Sequence, residues 1–495
     1  MVEDLRSQPM GSRALVGMLW NVASMIATRA GGVAAQVVLG WILAKDDFRL
    51  FGLAVLIIGI GQSVHNGGVR PVLVQRPDDF PALASAGFRY AFTVAVLTMA
   101  VLLISAPILT ACLQRPGLTI LLWIGAISYP LQVPPLIYQA KLATELGFRR
   151  SAAAMVSGGM VRSGSMIAAG LAGLGAVSFV LHYAVTAAFE WLLLRRIAGP
   201  WPRGVELDRA RFFEFARSGR WLVLGTLGST MALHGEKLFV DRWAPALLAT
   251  YFFGSQLVLG LTNLMQAGFA NVLLPTLARM GGDRPRQIAA YLRSLRSFSL
   301  FCSPACVSLS LLSPALVHLT WQGKWDDAIP VVQWTSVGLM GWLLGQLSLQ
   351  AVSAVGAWKL HATLIGLDAL TLMAAAAVGA SSGNMTRLVV WVSGQRFVWG
   401  FVQVFVTARV IRIDAFRVVE SVAVPASAGI GAGFATWAAV TWILPVESPL
   451  GALLATALVY ASSFALLTGL FLRADVLDLI ELVRPRRRAE SEPTP

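Results

Sequence analysis

Apolar runs of about 20 residues recur from one end of this chain to the other, and that is the length a helix needs to cross a bilayer. Lipid offers backbone N–H and C=O groups no partner, so such runs must close their own hydrogen bonds as helices. Composition agrees with this reading. The 495 residues are 56% hydrophobic and 13% charged, with a mean hydropathy of +0.69, whereas a soluble domain carries roughly 25% charged residues. The chain is therefore expected to be an all-α polytopic membrane protein, with no soluble domain large enough to carry a function of its own.

The first apolar run, residues 14–44, is too long for a secretory signal and is expected to be kept as a span. Cutting at polar breaks predicts about 14 transmembrane helices. They lie near 14–44, 50–74, 88–112, 119–142, 151–173, 176–197, 220–243, 247–276, 297–321, 328–355, 360–380, 385–409, 418–444 and 450–472. The expected organisation is an N-terminal six-helix lobe over 1–197, a basic connector over 198–219, a C-terminal six-helix lobe over 220–410, two accessory helices over 411–472 and a basic tail over 473–495.

Arginine and lysine fall unevenly between these spans. One set of connections holds six, Lys45, Arg49, Arg115, Arg242, Lys324 and Arg387, while the opposite set holds clusters such as Arg203 to Arg220, Arg279 to Arg296 and Arg484 to Arg488. Cytoplasmic loops retain positive charge, so the connector, the tail and both termini are expected to be cytoplasmic. The net charge of +14 follows from this topology and from attraction to anionic lipid, and calls for no nucleic-acid partner. Cys112, Cys302 and Cys306 lie in apolar runs without a metal-ligating neighbour and read as packing residues. No metal or other cofactor is expected, and no Walker motif is present to bind ATP.

Charges left inside spans carry the functional signal, because an ionisable group at mid-membrane is costly unless it faces a polar cavity or a partner. The cations are Arg29, Arg70, Arg162, Lys237 and Arg396, and the acids are Glu190, Glu236 and Asp368. This excess of cations suits an anionic ligand. Polar residues recur at helical spacing around them: Asn21, Ser24, Thr28, Arg29 and Gln36 in the first span, Gln62, Asn66 and Arg70 in the second, and Thr226, Thr230, His234, Lys237 and Asp241 in the seventh. The competing reading is interhelical hydrogen bonding, with Lys237 paired to Asp241 one turn away and the histidines satisfied in the bundle. It serves the four arginines poorly, since none has a carboxylate one turn away in sequence. Prolines within spans, among them Pro130, Pro134, Pro135, Pro304 and Pro314, predict kinked helices, a feature of transporter binding sites and also of inert bends.

A faint repeat of about 200 residues relates Trp20 to Trp221, and Phe51-Gly52 through Arg76 to Phe253-Gly254 through Arg279. At these residues a resemblance emerges. The segment Leu43-Ala44-Lys45-Asp46-Asp47-Phe48-Arg49-Leu50-Phe51-Gly52 resembles the first turn of bacterial polysaccharide flippases of the Wzx type. Leu146-Gly147-Phe148-Arg149-Arg150 is similar to a cytoplasmic turn of that family, and Ala249-Thr250-Tyr251-Phe252, Asn271 to Arg279 and Gln322 to Ala328 resemble three further motifs in order. Glu236 stands where the family often has aspartate.

The resemblance implies an oligosaccharide flippase of the multidrug/oligosaccharidyl-lipid/polysaccharide exporter superfamily in the bacterial inner membrane. Its ligand would be an undecaprenyl-diphosphate-linked oligosaccharide, its surroundings membrane lipid, and its partner a polysaccharide polymerase or chain-length regulator. The diphosphate would meet a cationic cavity of Arg29, Arg70, Arg162, Lys237 and Arg396, lined also by Thr28, Gln36, Gln62, Asn66 and His234, with Glu236 or Asp368 coupling an ion. Arginine's forked geometry matches phosphate. The chain is expected to move its ligand without covalent chemistry. A drug or cation antiporter of the same superfamily would want an acidic cavity, and a membrane polymerase or ligase would want a long external loop, which no predicted connection supplies.

Overall fold

A computed structural model describes residues 10–65, 68–75, 79–145, 147–199, 209–260 with 262 and 265, 283–443 and 448–473. Regular structure among them is helical throughout. In chain order the helices are α1 (Met10–Ile42), α2 (Lys45–His65), α3 (Val69–Gln75), α4 (Phe80–Leu113), α5 (Leu118–Thr144), α6 (Phe148–Leu171), α7 (Ser178–Ile197), α8 (Arg209–His234) and α9 (Glu236–Trp243). They continue with α10 (Pro245–Gly260), α11 (Arg284–Trp321), α12 (Ile329–Ala354), α13 (Trp358–Ala380), α14 (Met385–Ile411), α15 (Ala415–Ala438) and α16 (Pro449–Phe471). The all-α polytopic membrane fold read from the sequence is the one observed. Ile104, Phe434 and Leu458 are each about 70% exposed, the expected outward surface of helices that face lipid rather than water.

Eleven stretches among the described residues are long and apolar enough to cross a membrane, where the sequence predicts fourteen. The other three expected spans, 151–173, 220–243 and 247–276, fall on α6, on α8 with α9, and on α10, which is described to Gly260. The physical reason lies in α6 and α8: Ser151, Ser157, Arg162, Ser163 and Ser165 on the first, and Thr226, Ser229 and Thr230 on the second, dilute the apolar character that marks a span. The predicted second span is also not one helix. α2 is described to His65 and α3 begins at Val69, preceded by Gly68 at φ 90°, a left-handed backbone that glycine adopts without steric cost. Pro71 follows, with no N–H to give to a preceding turn.

The described chain forms two compact units, residues 1–268 with 358–395, and residues 269–357 with 396–495. In the first, α1 packs on α6, α4 on α5, and α2 on both α5 and α8. Small residues allow the close approaches usual between helices in lipid. A Cβ at Gly61 would overlap the Tyr129 hydroxyl, which donates to Ile58 O at 3.0 Å, and one at Gly159 would overlap Thr28. In the second unit α11 packs on α12, α15 and α16, and α12 meets α14 where a Cβ at Gly341 or Gly400 would collide with the facing backbone.

The turn that carries the first sequence motif has a structural explanation. Asp47 accepts the Ala44 N–H at 3.0 Å and the Ala176 N–H at 2.9 Å, tying the α1–α2 turn to the start of α7. Phe51 stacks on Phe179 with ring centroids 4.5 Å apart and meets Phe252 edge to face at 5.5 Å, while Phe48 meets Phe253 at 5.4 Å. Gly52 leaves room for the Phe252 ring, which lies 3.2 Å from where its Cβ would be.

Candidate functional site

Two adjoining cavities lie within the first unit, of about 450 and 620 Å³. They share Gln62, Arg162, His182 and Tyr183 as lining, so they form two chambers about one seam. The first chamber adds Thr28, Arg70, Gln132, Gln139 and Glu190 from α1, α3, α5 and α7. The second adds Gln36, Ser63, Thr226, Thr230 and His234, and meets the aromatic cluster at Phe48, Phe51, Phe179 and Phe252. The polar stripes of α1, α2 and α8 thus face a shared space. Part of their polarity is also spent on the helices themselves: Thr28 donates to Ser24 O at 2.8 Å, and Ser63 and Thr230 share a hydrogen bond of 2.8 Å across α2 and α8.

Arg70 and Arg162 are the cations of this space. Both are exposed to it rather than packed away, and among the described residues neither has a carboxylate partner. Arg29, one residue beyond Thr28, lines neither chamber; it is half-buried within electrostatic range of Arg162. The predicted Gln62–Asn66–Arg70 stripe is not continuous, because Arg70 rides on α3 beyond the break, and Asn66 lies outside the described residues. Gln36 brings a buried amide Nε2 that makes no hydrogen bond among the described residues.

Lys237 takes a different place. Its side chain is fully buried and lines neither chamber. The ammonium donates to Glu236 Oε1 at 3.0 Å and to Leu233 O at 3.2 Å, and sits 3.1 Å from His234 Nδ1. It lies behind two chamber residues, His234 and Phe252, whose ring centroid is 5.8 Å away. The partner anticipated for it, Asp241, is instead engaged by Arg115 at 3.0 Å and Arg49 at 3.7 Å. Asp368 is buried on α13 and accepts from Gln395 Nε2 at 3.1 Å. Arg396 belongs to the second unit, where its guanidinium lies over the Trp342 ring, 5.4 Å from the centroid.

Several lining residues were not singled out from the sequence: Gln132, Gln139, Tyr183 and Thr186. A signal existed. Gln132 and Gln139 are one heptad apart on α5, and Tyr183, Thr186 and Glu190 fall at i, i+3 and i+7 on α7, each set on one helix face.

Residues 38–330, more than half of the chain, match the polysaccharide biosynthesis protein family. The chain belongs to that family. A curated relative, lipopolysaccharide biosynthesis protein WzxC of Escherichia coli strain K12, is 20% identical over 333 residues, spanning 65% of this chain and 66% of the relative. The fold of this family member is also that of solved transporters. Lipid II flippase MurJ, in an inward closed conformation, superposes with a TM-score of 0.73 at 13% identity, covering 92% of this chain and 99% of MurJ. A Vibrio cholerae MATE transporter, VcmN, superposes with a TM-score of 0.58 at 12% identity, covering 82% of this chain and 98% of VcmN. The resemblance to Wzx-type flippases is therefore upheld, and the family member is a multi-pass protein of the bacterial inner membrane.

Proposed function

We propose that this protein flips undecaprenyl-diphosphate-linked oligosaccharide repeat units across the inner membrane by alternating access, for assembly of O antigen, capsule or exopolysaccharide. One observation carries the reading: Arg162 lines both chambers, with Arg70 on the first, and neither meets a carboxylate among the described residues. Cations held in this way in an apolar protein are suited to an anion that arrives from outside it. A diphosphate offers several acceptor oxygens to two guanidinium forks, and such charge-assisted bonds strengthen where water is scarce. The amide and hydroxyl groups around them serve sugar hydroxyls, and the polyprenyl chain stays in lipid. The chamber volumes are on the scale of small-molecule binding sites. WzxC is a lipopolysaccharide biosynthesis protein and MurJ a lipid II flippase, and both point toward the same class of cargo. A cation antiporter is disfavoured by the balance of lining charge, two arginines against Glu190.

The test is restoration of surface polysaccharide in a flippase-null strain, normalised to the amount of protein in the membrane. Arg162→Gln and Arg70→Gln each remove a charge-assisted contact, and affinity for the lipid diphosphate is expected to fall roughly ten- to hundredfold. The lysine variants keep charge without the fork and should recover part of the loss. Full restoration by both glutamine variants at matched levels overturns the proposal.

A further inference from the structure

The first chamber contains an acid that an anion-binding site does not call for. Glu190 on α7 lines it, and among the described residues this carboxylate has no ion-pair partner. It is nevertheless held in place. Gln139 on α5 donates its Nε2 to Glu190 Oε2 at 3.2 Å, while Oε1 faces Gly158 on α6, where an added Cβ would collide with it. A glycine at that point of α6 keeps the space that Oε1 occupies. Among the described residues, Glu190 thus presents one fixed oxygen and one that makes no hydrogen bond.

Its position along the chamber is informative. Arg162 is within electrostatic range of His182 and Tyr183, at the seam between the chambers. Glu190 lies seven residues beyond Tyr183 on the same helix, a rise of roughly 10 Å. On α6, Gly158, which faces Glu190 Oε1, is four residues from Arg162, a rise of roughly 6 Å, so an anion on Arg162 would leave Glu190 between one and two helical turns away, beside a group attached to that anion. An ionised carboxylate accepts hydrogen bonds and donates none. It therefore recognises hydroxyl groups and repels a second carboxylate, and the carbonyl of Gln139 adds another acceptor beside it.

We propose that Glu190, positioned by Gln139, is a specificity residue that binds the hydroxyl groups of the sugar joined to the diphosphate, and that it selects a neutral sugar over a uronic acid at that position. This rests on the lipid-diphosphate reading given above. Gly158 belongs to the same device, because it gives the carboxylate its room.

The experiment measures binding of three probes to the purified full-length protein: undecaprenyl diphosphate, undecaprenyl diphosphate bearing one glucose, and the same lipid bearing one glucuronic acid. The wild type should bind the glucose form about tenfold more tightly than the bare lipid, the scale of a charge-assisted hydrogen bond, and discriminate against the glucuronate form. Glu190→Ala should abolish the glucose preference, so that the glucose form binds no more tightly than the bare lipid, and should not weaken the bare lipid. Glu190→Gln should retain much of the glucose preference and lose the discrimination against glucuronate. Gln139→Leu, which leaves the acid in place but unheld, should weaken the glucose preference in part, and with Glu190→Gln it carries the test if Glu190→Ala does not fold. The inference is overturned if the wild type binds all three probes equally well, if Glu190→Ala keeps the glucose preference, if Glu190→Gln still discriminates against the glucuronate form, or if the variants weaken the bare lipid as much as the glucose form. Those outcomes leave the flippase reading intact. If instead the wild type binds none of the three, or binds them equally well after Arg162→Gln, the flippase reading fails and this inference fails with it.

Discussion

Four arginines of the first unit illustrate two uses of the same side chain. Arg49 and Arg115 converge on Asp241, whose carboxylate is 4% exposed, and they fasten the start of α2 and the α4–α5 turn to α9. Arg70 and Arg162 stand in the chambers with no acid to meet among the described residues. The first pair offsets the desolvation of a carboxylate and serves the fold. The second pair makes no ion pair among the described residues, as the proposed role in binding an external anion requires. Glu236 and Lys237 extend the first class: a fully buried lysine is neutralised by its neighbour behind the chamber wall.

That contrast predicts how thermal unfolding of the purified protein should respond to substitution. The largest loss is expected from Lys237→Met, which leaves Glu236 buried beside no cation. Breaking such a pair from one side costs about 3–5 kcal/mol, and adding Glu236→Gln should recover part of it. A Lys237→Met protein as stable as wild type would remove Lys237 from the structural class. Asp241→Asn is expected to cost less, about 2–3 kcal/mol, because Arg49 and Arg115 keep some exposure to solvent when their partner is neutralised. If Arg49→Gln or Arg115→Gln destabilises as much as Asp241→Asn, the two arginines do not share the acid as described. The smallest effect belongs to Arg70→Gln and Arg162→Gln, which should change stability by no more than about 0.5 kcal/mol, as for substitutions at solvated positions. A large loss at either would place these arginines with Arg49 and Arg115 and sever them from ligand binding.

Much of the site was legible as periodicity. Thr28, Gln36, Gln62 and His234 face the chambers as their stripes predict, because a polar face on a membrane helix must turn away from lipid. Gln132 and Gln139 were overlooked on α5, where three prolines and a long apolar composition dominate the pattern. Lys237 shared the spacing of its stripe and yet lies behind the wall. One-turn spacing admits either a ligand or a neighbour as its partner, and the adjacent Glu236 is the neighbour that the folded helix provides. Arg396 and Arg29 show the same limit: periodicity identifies a polar face without saying which space that face borders.

From residue order alone came the membrane class, the helical character of every described element and the family, since hydropathy, helix period and short turn motifs are local properties and the bilayer permits few alternatives. Which cations are neutralised, and which face a cavity, depended on groups far apart in the chain: Asp241 lies 126 residues from Arg115, and Glu190 is held by Gln139 from another helix. Charges interact across space rather than along sequence, so only the packing of α1 to α10 could assign Arg49 and Arg115 to the fold, and Arg70, Arg162 and Glu190 to the chambers.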